Sequence, residues 1–178
     1  MNKMKKILLV VAACSLIFLT GCDQILAMIP PRDLNPLPDF SVVSAMGGTI
    51  HRDDLLGTPT VMFFWNSWCP HCNTMMPHMQ AMHEEFGDRV RIMAINAREA
   101  QRTDDNREQG FHNASAYLVE NGFTLPVYFD WDLEAYHAVQ APAVPTTVFI
   151  NANGEAVRWR LGGRTQAQLR RDIEGILS

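Results

Sequence analysis

Thr60 to Trp65 is an apolar run of strand length, and within four residues it gives way to Cys69-Pro70-His71-Cys72. A nearly continuous apolar run reads as a strand covered on both faces. Pro70 suits the first position of a helix, where no backbone N–H is required. The chain must therefore pass from a central strand almost directly into a helix, which puts two thiols three positions apart at the helix start. With Cys69 as N-cap, the free amide N–H groups and the positive dipole end of the first turn favour thiolate over thiol, and only the thiolate is a nucleophile. His71 adds a second donor beside the same sulfur. One sulfur can then attack a disulfide and the other can resolve it. A structural disulfide and half of a zinc site are the other uses of such a pair. No second CxxC and no paired-histidine spacing follows to complete a zinc site.

The rest of the chain alternates strand and helix signals. Phe40-Ser41-Val42-Val43 and Gly47-Gly48-Thr49-Ile50 predict a hairpin, and Arg52 to Leu56 one helical turn closed by Gly57. After the cysteines, Met75, Met79, Met82 and Phe86 form one inward stripe of a helix ended by Gly87, with Pro77 predicting a kink. Val90 to Ile95 is the next strand. Arg98 to Gln109 reads as a solvated loop and the start of a second helix, on which Phe111, Ala114 and Leu118 face inward. Leu125 to Phe129 is a further buried strand, and Leu133 to Val139 a short helix. Thr146 to Ile150 and Ala156 to Leu161 form a hairpin around Asn151-Ala152-Asn153-Gly154. Thr165 to Leu177 is a closing helix with Thr165 and Gln168 as a capping box.

At the N-terminus, Lys3, Lys5 and Lys6 precede an apolar run from Ile7 to Leu19 that is short for a membrane span and reads as a secretory signal. Leu19-Thr20-Gly21-Cys22 resembles the bacterial lipobox, which implies cleavage before Cys22 and lipid on its sulfur. Asp23, by the same resemblance, implies retention at the inner membrane. Residues 1–21 are thus expected to be a signal peptide, 22–37 a lipid-anchored tether in a stretch, Ile25 to Pro38, that holds four prolines, and 38–178 the domain. Of 178 residues, 157 remain after cleavage, enough for one core. Cys14 leaves with the signal and Cys22 goes to lipid, so the two remaining thiols are Cys69 and Cys72. All three lysines leave too. Twelve arginines then face 19 acidic residues, a formal charge of −7, which excludes lysine-based covalent catalysis and argues against nucleic acid as a partner.

The order of elements, with CxxC after the first buried strand and Val144-Pro145-Thr146 opening a later one, resembles the thioredoxin superfamily. Within it, the chain is similar to the membrane-anchored TlpA/ResA-type thiol:disulfide oxidoreductases. The matching pieces are Pro38-Asp39-Phe40, Phe64-Trp65-Asn66-Ser67-Trp68-Cys69, Pro77, Leu125-Pro126-Val127 with Asp130, Pro145-Thr146-Thr147-Val148-Phe149-Ile150 and Asn153-Gly154-Glu155. The resemblance implies a thioredoxin-like α/β fold, a central mixed sheet flanked by helices with an N-terminal hairpin and a central α/β insertion. It also implies a cis bond before Pro145, against the ordinary preference of X-Pro for trans. Trp68, Val144 and Pro145 would bind substrate, and Pro70 and His71 would tune the Cys69 thiolate. Two departures stand out. Thioredoxin proper carries a buried aspartate where this chain has Phe63, and TlpA-like proteins often have glutamate where it has Met75.

The resemblance implies dithiol exchange with protein thiols and disulfides, using the Cys69–Cys72 pair with no other cofactor and no metal. A membrane-embedded donor or acceptor would supply or remove electrons on the periplasmic side of a bacterial membrane. Scaffold and anchor point to a reductase, whereas Pro-His between the cysteines matches the oxidising DsbA motif. A rival class is copper handling, because Cys69, His71, Cys72, Met75, Met76, His78, Met79, Met82 and His83 crowd soft and imidazole donors into one helix. Methionine is also an ordinary core filler. Nothing around Cys69 resembles a peroxiredoxin site.

Overall fold

The computed structural model describes residues 35–97, 99 and 106–177. Ser41–Ser44 (β1) and Thr49–His51 (β2) pair as an antiparallel hairpin, followed by a 3-10 turn at Arg52–Leu55. Thr60–Trp65 (β3) leads into Pro70–Phe86 (α1), and Arg91–Asn96 (β4) is followed by Arg107–Glu120 (α2). Val127–Phe129 (β5), Glu134–Ala138 (α3), Thr146–Ile150 (β6), Ala156–Leu161 (β7) and Gln166–Leu177 (α4) complete the described chain.

The strands form one mixed sheet in the order β2-β1-β5-β4-β3-β6-β7. Strand β3 runs parallel to β4, with Thr60 opposite Arg91 and Trp65 opposite Asn96, and antiparallel to β6, with Thr60 opposite Ile150. All six residues of β3 are buried. Because a strand alternates its side chains, β3 serves two cores. Val61, Phe63 and Trp65 pack with Met75, Met79, Met82 and Phe86 of α1 and with Leu169, Ile173 and Ile176 of α4. Met62 and Phe64 pack on the opposite face with Met93, Ile95, Val148 and the α3 residues Ala135, Tyr136 and Ala138. Burying each large apolar side chain contributes roughly 1.5–3 kcal/mol. The second core also takes in Leu37, and the Ala156 N–H donates to Asn35 Oδ1 at 2.8 Å, so packing begins before Pro38.

The methionine stripe and the closing helix are as the periodicity predicts. The Gln168 N–H donates to Thr165 Oγ1 at 3.3 Å, and the Thr165 N–H to Gln168 Oε1 at 3.0 Å. Gly87 ends α1 as expected, in a right-handed conformation (φ −54°) where a Cβ would lie 2.6 Å from the His83 carbonyl oxygen. Two local expectations are corrected. Phe111 is 42% exposed rather than inward, while Ala114 is fully buried. Glu99, read as part of a solvated loop, is 2% exposed; residues 98 and 100–105 lie outside the described residues.

Candidate functional site

The site lies where β3 hands over to α1. Cys69 is the N-cap of α1, with extended backbone (φ −92°, ψ 109°), and Pro70 occupies the first helical position. The Cys72 N–H donates to Cys69 Sγ at 3.3 Å, and the Asn73 N–H to the Cys69 carbonyl oxygen at 3.0 Å. The helix therefore directs one of its free N–H groups at the first sulfur, an arrangement that stabilises negative charge there. The two sulfurs are at disulfide distance, with Cα atoms 5.2 Å apart. Cys69 is 5% exposed and Cys72 not at all. Of the two, only Cys69 presents any surface to an attacking group.

The second wall comes from the loop before β6. The Val144–Pro145 bond is cis, Pro145 is buried, and the Val144 carbonyl oxygen stands 3.8 Å from Cys69 Sγ. Trp68, 38% exposed, and the exposed Pro70 and His71 surround the sulfur pair. The structure thus brings together Trp68, Cys69, Pro70, His71, Cys72, Val144 and Pro145. Cys22, the expected lipid acceptor, and Asp23 lie outside the described residues, as do the signal sequence and most of the tether. Phe63 belongs to the core that contains Cys72. Met75, Met79 and Met82 are filled into that core, which removes three of the soft donors a copper site on this helix would use. Among the described residues, no group of three or more His, Cys, Asp or Glu side chains is placed to hold a metal ion.

One set of residues escaped the sequence reading. Glu99 Oε2 accepts from the Ser67 N–H at 2.9 Å and from Asn96 Nδ2 at 3.2 Å, while the Ser67 hydroxyl donates to Oε1 at 2.6 Å. Asn73 Nδ2 in turn donates to the Ser67 carbonyl oxygen at 3.1 Å. A carboxylate beyond β4 therefore fixes the backbone two residues before Cys69. The signal that could have found it is the parallel pairing of β3 with β4, whose ends fall side by side. The turn Gly162-Gly163-Arg164 also went unremarked, yet the Gly162 N–H donates to the Pro145 carbonyl oxygen at 2.8 Å.

Comparison with known proteins bears on this geometry. The model of the AhpC/TSA family matches residues 34–159. The chain is similar to the thiol-disulfide oxidoreductase ResA of Halalkalibacterium halodurans, with 29% identity over 139 residues, covering 78% of this chain and 73% of that protein. It is also similar to the sporulation thiol-disulfide oxidoreductase A of Bacillus subtilis, with 27% identity, covering 68% and 73%. Among solved structures, StoA from Bacillus subtilis superposes with a TM-score of 0.63 at 25% identity, covering 76% of this chain and 96% of that one. A DsbF homologue from Corynebacterium diphtheriae has the same fold, with a TM-score of 0.64 at 22% identity, covering 79% and 85%.

Proposed function

The chain belongs to the AhpC/TSA family and is a thiol-disulfide oxidoreductase of thioredoxin-like fold, and on that premise we propose that it works outside the cytoplasm as a reductase of protein disulfides. One observation carries the reading: a reachable sulfur at a helix N-cap, Cys69, backed by a buried partner, Cys72, whose N–H points at it.

In the reducing direction the Cys69 thiolate attacks one sulfur of a partner disulfide. That S–S bond breaks, a mixed disulfide forms, and the partner's other sulfur leaves with the electron pair. Cys72, once deprotonated, attacks Cys69 Sγ and releases the second partner sulfur. Two electrons and, after protonation, two protons pass to the partner, and the Cys69–Cys72 disulfide remains. The Val144 carbonyl beside Cys69 offers an acceptor to an extended substrate backbone. The exposure of His71 favours the reductase direction. A donor in water stabilises the thiolate weakly, so the Pro-His pair contributes less than its likeness to the oxidising motif suggests.

Lipid on Cys22 would hold the domain at the periplasmic face of a bacterial membrane, with Asp23 keeping it at the inner one, within reach of a membrane-embedded electron donor. Among the described residues no helix is long and apolar enough to cross a membrane. Cys22→Ser should abolish labelling of the protein by a radioactive fatty acid supplied to the cells. Labelling that persists in the variant would sink the lipid anchor.

The function itself is tested with dithiothreitol-driven reduction of insulin. Cys69→Ser should abolish turnover, and Cys72→Ser should accumulate mixed disulfides. Preferential alkylation of Cys72 over Cys69 at neutral pH would reverse the assigned roles.

A further inference from the structure

Between the turn after β7 and the first two turns of α1 lies a cleft of about 240 Å³, whose lining includes His71, Thr74, His78, Gly163, Arg164 and Gln168. At ~30 Å³ per water this is room for one side chain rather than a whole small molecule. His71 connects the cleft directly to the sulfur pair. The opposite wall is tied to the same site, because the Gly162 N–H donates to the Pro145 carbonyl oxygen at 2.8 Å and the Arg164 carbonyl oxygen lies 3.0 Å from His78 Nδ1.

Every ionisable side chain on this lining is basic. Behind it, Arg158, Arg160 and Arg164 converge on Asp172 at 2.9, 3.1 and 3.4 Å. One carboxylate offsets one of three guanidinium charges. The geometry also separates them: the Asp172 side chain is 6% exposed, while those of the arginines are 37, 35 and 23% exposed, so the cations face water and the anion does not. Burial pushes the Asp172 carboxyl up, but hydrogen bonds and charge from Arg160 and Arg158 hold it below its ordinary value, and the cluster stays ionised. The first turns of α1 and α4 contain no acidic residue, and Glu85, farther along α1, is engaged by Arg170. In a chain with 19 acidic and 15 basic residues, the redox cleft is a local inversion of sign.

We propose that this cleft is a subsite for an acidic side chain, so that the favoured partner carries Asp or Glu within a residue or two of the cysteine Cys69 attacks. The proposal rests on the oxidoreductase reading and deepens it by naming the substrate class. Charge complementarity of this kind acts on encounter and orientation more than on the chemistry of exchange.

The test uses three peptide disulfide homodimers, identical except that Glu, Gln or Lys flanks the cysteine, reacted with the reduced full-length protein in detergent. Each second-order rate is divided by the rate of the same peptide with mercaptoethanol, which removes the effect of the flanking charge on the leaving thiol. The Glu peptide should react about fivefold faster than the Gln peptide, and the Lys peptide slowest. The advantage should shrink at high salt. It should shrink also in Arg164→Gln, where Asp172 keeps Arg158 and Arg160; should that variant misfold, the salt dependence of the unmodified protein decides alone. Equal rates, or the order Lys, Gln, Glu that the acidic chain as a whole would impose, overturn the subsite. Failure to reduce all three peptides would instead sink the reductase reading, and the subsite with it.

Discussion

Glu99 holds the chain two residues before the reactive sulfur, and its contacts say what removing it should do. Glu99→Ala takes the acceptor from the Ser67 N–H and from Asn96 Nδ2 in a buried setting, which costs about 1–3 kcal/mol. It also frees the loop that places Cys69, so alkylation of Cys69 should slow several-fold. Glu99→Gln should recover most of both losses. Its carbonyl can accept where Oε2 accepts now, and its amide can donate to the Ser67 hydroxyl, which is able to reverse its role. Denaturant melts and alkylation rates check this, and equal impairment of the two variants would mean that charge, not position, is what Glu99 supplies. The contrast with the cysteines is instructive. Cys69, Pro70, His71 and Cys72 were legible because their chemistry follows from adjacent residues on one helix turn. Glu99 acts 32 residues away from Ser67 through the register of β3 on β4, and a polar segment of mixed charge gives no local sign of that.

Helix α3 shows the same dependence at the scale of an element. Five residues cannot sustain a helix alone, and the residue before it, Leu133, has φ +60° and no capping side chain. The cap comes from Asp130, which accepts from the Ala135 N–H at 3.3 Å and the Tyr136 N–H at 2.7 Å. Burial pushes the Asp130 carboxyl up to about 6 from 3.8, with the charge of Glu134 adding to the rise and the backbone donors opposing it. A raised carboxyl pKa means that the folded protein binds more protons than the unfolded chain between pH 3.8 and about 6. Stability from this group is therefore full below that window and falls as pH rises through it, by at most about 3 kcal/mol. Asp130→Asn removes the titration. The stability difference between the parent and this variant should accordingly shift against the parent from about pH 4 to 6.5, and parallel curves would remove Asp130 as its source. The short helix was legible as a pattern, but its cap was not, since Asp130 precedes the helix by four residues. Phe111 failed for a related reason. Its helical spacing pointed inward, yet from the second turn of α2 its ring meets only the edge of the core, 5.0 Å from Phe129, which stacks on Trp131 at 4.6 Å, and it remains 42% exposed.

At the scale of the molecule, the redox pair and the fold are two sides of one equilibrium. Strand β3 is locked between β4 and β6, and α1 is fixed on it by Met75, Met79, Met82 and Phe86, so the folded protein holds the cysteine Cα atoms 5.2 Å apart, a spacing that suits a disulfide. The unfolded chain must find that proximity at an entropic cost. Against this, the folded protein stabilises the Cys69 thiolate through one N–H at 3.3 Å and the helix end, while His71 stands in water and Phe63, not a carboxylate, shares the core with Cys72. The first effect favours the disulfide and the second the dithiol, and with so few donors at the sulfur the first should prevail. Two measurements must then agree. The Cys69–Cys72 disulfide should be harder to reduce in the folded protein than in denaturant, and the oxidised protein should be more stable than the reduced one. For a two-electron couple the differences are linked at about 1.4 kcal/mol for every 30 mV. A reduced form that melts above the oxidised form would mean that thiolate stabilisation wins. The Pro-His pair would then have set the direction, making the protein an oxidant of substrate thiols rather than a reductase.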